Sequence, residues 1–400
     1  MTVSAHYEDF YGDFYDEWRR RRPGERRSLR RAGLLAGVLG VTDPGVPVLT
    51  VVGSKGKGTA ATYASAWIAA AGCRVVTVTS PGLRSDTDRI RVDGAAVSAD
   101  ELAGLGARIR TAAGPPPSER DGYLSPSGLF MLAGLLHARD VGAEVIALEA
   151  GMGGASDEVS LVAPSVVAVT EVFAEHLGVL GDSPAEIAAD KAGVVAETTH
   201  AVLSLPQTPD VAAAIAATEV VTGFPDVPLP SGLNRPNAAL GCVAAQRLLA
   251  AMGRTAGDRL KEILASVRLP GRTSWHTVPG CELLVDSAIS GAGAVAALAE
   301  AYRRWDRIDH VLVCLPDHKD VAGVLAELDG LPVTPVRMPD RESLRFTRTG
   351  DAVDAADLTP ERIAALGRRV LVLGTGYFTG RILDLIDAPT GRLFASFLDA

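Results

Sequence analysis

The chain is expected to fold as an α/β protein, with a mainly parallel sheet covered by helices on both faces and a smaller α/β domain after it. Three observations predict this. Short apolar runs recur at 48–52, 74–79, 144–149, 166–170 and 201–205, and such runs read as strands buried on both sides. Helical patterns lie between them at 59–71, 100–112, 127–140 and 183–197, the alternation that builds a parallel sheet. A second series begins near residue 281, with strands at 282–286, 310–315 and 369–373 and helices at 291–304, 320–328 and 376–387.

In chain order, residues 1–24 form an N-terminal extension. Tyr7, Phe10, Tyr11, Phe14, Tyr15 and Trp18 recur at helical spacing, and Arg19 to Arg22 follow. This predicts a helix docked on the main domain with a solvated basic end. Pro23 and Gly24 break the pattern. Residues 25–40 read as an amphipathic helix with Leu29, Leu34, Leu35 and Val38 inward, and Pro44, Gly45 and Pro47 separate it from the first strand. The central domain is expected to span 25–270 and the C-terminal one 271–400, with the boundary at the turn Leu269-Pro270-Gly271-Arg272.

Composition narrows the class. Four hundred residues give ample core for two or three domains. The net charge of −9 argues against general nucleic-acid binding and against an anionic membrane surface. Cys73, Cys242, Cys281 and Cys314 have no metal or redox spacing, so buried free thiols in a reducing cytosol are expected. The N-terminus does not read as a signal peptide and no apolar run is long enough to span a bilayer, so a cytoplasmic protein without an obligate protein partner is expected.

The stretch Val48-Leu-Thr-Val-Val-Gly-Ser-Lys-Gly-Lys-Gly-Thr59 carries the strongest chemical signal. A buried strand runs into a glycine loop and then into a helix. Gly53, Gly56 and Gly58 let the backbone bend and approach a ligand, and amides at a helix N-terminus favour an anion. Lys57 adds a positive charge for phosphate, and Thr59 a hydroxyl able to ligate Mg²⁺. These are the parts of a P-loop-type ATP cradle, although Gly58 separates the Gly-Lys pair from the hydroxyl. The C-terminal series reads as Rossmann-like, and ATP between two such domains would favour closure that excludes water.

The order of further motifs resembles the folylpolyglutamate synthase / dihydrofolate synthase branch of the Mur ligase superfamily, over about residues 25–395. Gly53-Ser-Lys-Gly-Lys-Gly-Thr59 is similar to the family's G-T-N-G-K-G-S. Thr79-Ser80-Pro81 and Asp88-Arg-Ile-Arg-Val-Asp-Gly94 resemble T-S-P-H-L and E-R-I-R-V-N-G. Leu148-Glu149-Ala-Gly-Met-Gly-Gly154 resembles L-E-V-G-L-G-G. Glu175-His176, Leu180-Gly181 and Asp190-Lys191-Ala-Gly193 resemble D-H-T-E-I-L-G and E-K-A-G. Asn234 with Asn237-Ala238, then Pro270-Gly271-Arg272 and Asp286, complete the series.

The resemblance implies an ATP-dependent ligase that activates a carboxylate as an acyl phosphate for attack by an amine. Opposed anions then require Lys, Arg and metal charge. It implies Lys57, His176 and Lys191 as catalytic residues. Thr59, Ser80, Glu149 and His176 would be ligands of Mg²⁺, with two ions expected. Asn237 and Arg272 would reach the nucleotide and Asp286 its ribose. Lys191 resembles a lysine that is often carbamylated. Taken alone, Ser80 is a turn serine, Glu149 a helix-capping strand end, His176 a loop residue, Lys191 a surface lysine and Arg272 a hinge charge.

The departures fall near the acceptor and amino-acid pockets. The histidine after T-S-P is Gly82, and the aromatic–Glu pair before the third helix falls at Ser127-Gly128. The arginine of G-L-G-G-R-L-D is Ala155, Thr-Glu after the histidine is Leu177-Gly178, and D-G-A-H-N becomes Asp286-Ser287-Ala288-Ile289-Ser290. The expectation is therefore a carboxylate–amine ligase acting on a small acid other than ordinary folate. The alternatives are a genuine dihydrofolate/folylpolyglutamate synthase and a nucleotide-binding protein without ligase activity.

Overall fold

The structure, a computed structural model, describes residues 12–115, 121–340, 344–348 and 351–396. Tyr7, Phe10 and Tyr11 lie outside the described residues. The chain divides into two compact units: one built from the chain up to Leu229, Arg235–Val267 and the segment from Gly391, the other from Pro230–Asn234 and Arg268–Thr390.

The first unit holds strands β1 (Val48–Val52), β2 (Val75–Val78), β3 (Ile90–Val92), β4 (Ala95–Ala96), β5 (Val145–Glu149), β6 (Val166–Val169), β7 (Ala201–Ser204) and β8 (Glu219–Val220). They form one sheet in the order β4-β3-β2-β5-β1-β6-β7-β8. Pairing is parallel from β2 to β8, and the β3–β4 hairpin adds an antiparallel edge. Every residue of β1, β2, β5 and β6 is buried, so both faces of the sheet centre are covered, as near-continuous apolar strands require. The register Val51↔Glu149 and Val52↔Val169 brings the carboxyl ends of β1, β5 and β6 level, and the loops that follow them form one edge.

Helices follow the expected pattern with local differences. The helix after β1 starts at Lys57 rather than 59 and ends at Ala70, so Lys57 stands in its first turn. The helix expected over 183–197 stops at Ala192. In Leu29–Leu39 the inward residues are Ala32, Leu35 and Ala36. Leu34 and Val38, expected inward, are exposed: the buried stripe is displaced by one position because small alanines fit closest to the core. Helix Asn234–Ala251 was not anticipated. In the N-terminal helix Gly12–Arg19, Phe14 is buried and stacks on Phe130 at 4.1 Å, while Arg19 to Arg22 are exposed.

The second unit holds β9 (Ser274–Val278), β10 (Cys281–Asp286), β11 (His310–Cys314), β12 (Val333–Arg337), β13 (Val353–Asp354) and β14 (Arg369–Gly374), in the order β13-β12-β11-β14-β10-β9. Only β9 runs antiparallel. Alternate residues of its central strands feed opposite cores: Leu283, Val285, Leu312, Val370 and Val372 on one side, Leu284, Val311, Val313, Leu371 and Leu373 on the other.

The sequence reading ran the second domain to residue 400, whereas the segment from Gly391 belongs to the first unit. Ala96 N donates to Gly391 O at 2.7 Å and Leu393 N to Gly94 O at 3.0 Å, so the segment extends the β4 edge. All four cysteines are buried free thiols. Among the described residues no helix is long and apolar enough to cross a membrane.

Candidate active site

The glycine loop after β1 is built around two close approaches. Gly53 has φ of 130°, and a Cβ there would lie 2.0 Å from Thr170 Oγ1. Gly56 has φ of 86°, and a Cβ there would lie 2.1 Å from Asn237 Cγ. Only glycine fits either position. Asn237 thus packs directly against the loop. Gly56 is the N-cap of the helix Lys57–Ala70, and no side chain caps it. A helix start without a side-chain cap is what an anion site needs. Gly58 and Thr59 are buried in its first turn.

Two lysines converge on one carbonyl. Lys57 Nζ donates to Gly53 O at 3.0 Å and to Ser54 O at 3.2 Å. Lys191 Nζ donates to the same Gly53 O at 2.9 Å and to Glu175 Oε1 at 2.9 Å. Lys191, 1% exposed, is carried by helix Pro184–Ala192. Its neighbour Asp190 accepts from Gly154 N at 2.9 Å and Ser156 N at 3.1 Å, tying that helix to the loop after β5. Burial, helped by the charge of Lys57, pushes the Lys191 amine below the usual lysine range, against the pull of Glu175. Burial pushes Glu175 up, but Lys191 and Lys57 outweigh it and hold the carboxylate below its ordinary range.

Ser80 and Glu149 also meet. Ser80 N donates to Glu149 Oε2 at 3.1 Å, and Glu149, the last residue of β5, is buried. His176 stands beside Glu175 on the loop after β6 in the left-handed region at φ of 50°, with its side chain exposed. Its carbonyl accepts from Val179 and Leu180, which closes the turn.

Among the described residues no three His, Cys, Asp or Glu side chains gather as a metal site. One buried carboxylate in contact with a serine residue nevertheless fits Mg²⁺, which is commonly held by one or two carboxylates together with water and substrate phosphate. The residues fit a carbamate on Lys191 less well. Its amine is already shared between a carbonyl and a carboxylate, and a carbamate would set a second negative charge against Glu175.

In the second unit, Asp286 ends β10 and accepts from Thr273 N at 2.7 Å and Thr273 Oγ1 at 2.9 Å. Thr273 has φ of 53°, and Asn234 Nδ2 donates to its hydroxyl at 3.3 Å. Asp286 therefore pins the turn that carries the half-buried Arg272.

Sequence reasoning missed a buried cluster around the segment that follows β5. Arg27 Nη1 donates to Asp157 Oδ2 and Glu158 Oε2, both at 2.9 Å, and its Nη2 to Met152 O. Ser125 Oγ donates to Glu158 Oε1 at 2.6 Å. A Cβ on Gly128 would lie 2.5 Å from Glu158 Cδ. Burial, then the neighbouring Asp157, pushes the Glu158 carboxyl above its usual range. No spacing rule announces this cluster: Arg27 and Glu158 are 131 positions apart.

Comparison with profiles of known protein families gives no match. Among curated proteins, the chain is 27% identical over 398 residues to the dihydrofolate synthase/folylpolyglutamate synthase of Escherichia coli, covering 90% of this chain and 91% of that protein. Among solved structures, the apo form of L. casei FPGS superposes with a TM-score of 0.78 at 20% identity, covering 94% of this chain and 98% of that one. The E. coli FolC complex with DHPP and ADP gives a TM-score of 0.71 at 24% identity, covering 91% and 94%.

Proposed function

Because the chain belongs to the folylpolyglutamate synthase / dihydrofolate synthase family of ATP-dependent ligases, we propose that it joins a folate-type carboxylic acid to the amine of glutamate. The observation that carries this reading is the cradle in which Lys57 and Lys191 share the carbonyl of Gly53.

In the proposed reaction an oxygen of the acid's carboxylate attacks the γ-phosphorus of ATP, and ADP leaves with the electrons of the broken P–O bond. The amine then attacks the acyl phosphate, loses a proton, and inorganic phosphate departs as the amide forms. Lys57, at the first helical turn, moves from backbone carbonyls to phosphate oxygens. Lys191 stays an ammonium, holds Gly53 and keeps the loop shaped. The amides of the loop and helix start orient the phosphates, with Asn237 supporting the loop at Gly56. Thr59, Ser80 and Glu149 would hold Mg²⁺, which when bound offsets phosphate charge. His176 is assigned to the same edge as a ligand on the family pattern, and Arg272 and Asp286 are assigned to the nucleotide.

The sequence departures favoured an acid other than folate, yet the relatives support the folate reading better. At two of the departures another residue brings the same kind of group. Glu158 fills the space next to Gly128, so a carboxylate is present there from another element, and Arg27 pairs with Asp157, so a guanidinium is present on the same loop that carries Ala155. Gly82, Leu177-Gly178 and Ile289-Ser290 keep the second reading, a different acid on the same chassis, in play.

A mass-spectrometric assay with ATP, Mg²⁺, dihydropteroate and glutamate, with ADP followed in parallel, separates the readings. Dihydrofolate formation supports the folate assignment. ADP release with another acid only would sink it in favour of the second reading, and ATP binding without turnover on any acid would sink both. Glu149→Gln is expected to raise the Mg²⁺ needed for half-maximal turnover by about 10- to 100-fold. An unchanged Mg²⁺ profile would remove Glu149 from the metal site.

A further inference from the structure

The aromatic N-terminal helix reaches the Ser80–Glu149 pair through a single buried guanidinium. Arg89 lies on the short turn before β3 and is almost wholly buried. All three of its nitrogens are engaged. Nε donates to Asp86 Oδ1 at 2.9 Å, Nη2 to Tyr15 Oη at 2.9 Å, and Nη1 to Ser80 Oγ at 3.3 Å. Its Cζ stands 4.4 Å from the centre of the Phe130 ring, the ring on which Phe14 stacks. Tyr15 Oη in turn donates to Asp86 Oδ1 at 2.9 Å. Ser80 also meets Glu149, through its main chain: the backbone N–H donates to Glu149 Oε2 at 3.1 Å.

A buried charge of this kind is expensive unless paired and fully hydrogen-bonded, and here Asp86 neutralises it locally. The hydroxyl of Ser80, by accepting from Arg89, has its orientation fixed rather than left to rotate. Planar, multidentate geometry is what distinguishes arginine from lysine in such a place.

We propose that the N-terminal helix is a positioning element of the Mg²⁺ site: Tyr15 holds Arg89, and Arg89 fixes the hydroxyl of Ser80, the residue whose backbone N–H holds Glu149. This rests on the reading of Ser80 and Glu149 as a metal pair. Arg89 and Tyr15 touch neither substrate nor metal and act through Ser80. The helix is thereby more than a docked cover, because removing one phenolic hydroxyl on it alters the geometry of a serine 65 positions away in the chain.

The test is calorimetric titration of the full-length protein with ADP, in Mg²⁺ and in EDTA, for the wild type, Tyr15→Phe and Arg89→Lys. Mg²⁺ is expected to tighten ADP binding to the wild type. In both variants that enhancement is expected to fall by about 10-fold, the scale of outer-sphere changes at metal sites, while affinity in EDTA stays unchanged. Tyr15→Phe keeps the ring and its packing, so it decides the matter if Arg89→Lys does not fold. An undiminished Mg²⁺ enhancement in the variants overturns the proposal alone. Equal losses in Mg²⁺ and in EDTA overturn it too, since they mark a merely structural role. A wild type without any Mg²⁺ enhancement refutes the metal pair itself, and the proposal with it.

Discussion

Replacing Lys57 by alanine is expected to lower ligase turnover by about 10²- to 10³-fold, the effect of removing one group that stabilises developing charge. The fold is expected to survive. The side chain is only partly buried, and its partners are two backbone carbonyls. One of them, Gly53 O, keeps its bond from Lys191. The measurement is ADP release under saturating substrates beside a thermal melt. Turnover within a few-fold of wild type would refute the assignment of this loop as the phosphate cradle. Lys191 gives the opposite profile: its replacement leaves Glu175 without its closest cation, so stability falls together with activity.

The second large effect is expected at Gly128. Gly128→Glu drives a side chain into Glu158 and buries two carboxylates together, at a cost on the order of 3 kcal/mol or more. Glu158→Ala alone removes one acceptor from Ser125 and Arg27, which keeps Asp157, and is expected to cost about 1–3 kcal/mol. Combining the two vacates the space and returns a carboxylate from the other side. Glu158→Ala is also expected to raise the acceptor KM, and the double variant is expected to be more stable than Gly128→Glu and to reverse part of that rise. Denaturant unfolding and acceptor titrations decide it. A double variant no more stable than Gly128→Glu would show that Glu158 does not stand in for a carboxylate at 128.

What the sequence disclosed follows a physical line. β1, β2, β5 and β6 were legible because strands covered on both faces read as near-continuous apolar runs, and the cradle was legible because its glycines, lysine and threonine lie within one short stretch. The outer strands, the edges β4, β8, β9 and β13 with β3 and β12 next to them, were not legible, because short, partly exposed strands carry little hydrophobic signal. Helix Asn234–Ala251 escaped because its Asn-Arg-Pro start reads as a turn. In Leu29–Leu39, leucines were preferred to alanines as core residues, and close helix packing reversed that choice. The residues missed at the site, Arg27, Arg89, Tyr15 and Glu158, meet only across the folded chain, and the pairing of Arg89 with Tyr15 spans 74 positions. Glu175 was seen as a substitution for aspartate, but its partner Lys191 lay on another element.

Because Gly391 and Leu393 are hydrogen-bonded back to Ala96 and Gly94, the stretch Arg268–Thr390 is a closed loop with both ends anchored in a different folded body. Its unfolded form explores fewer conformations than a chain with a free end, and the entropy spared on refolding counts toward its stability. That gain grows only logarithmically, by roughly 0.6 kcal/mol per doubling of loop length. Openings of that stretch also end with their termini still held together. Refolding is then a unimolecular reclosure from tethered ends, and cutting the chain near Thr390 would weaken the second unit without touching a single one of its core side chains.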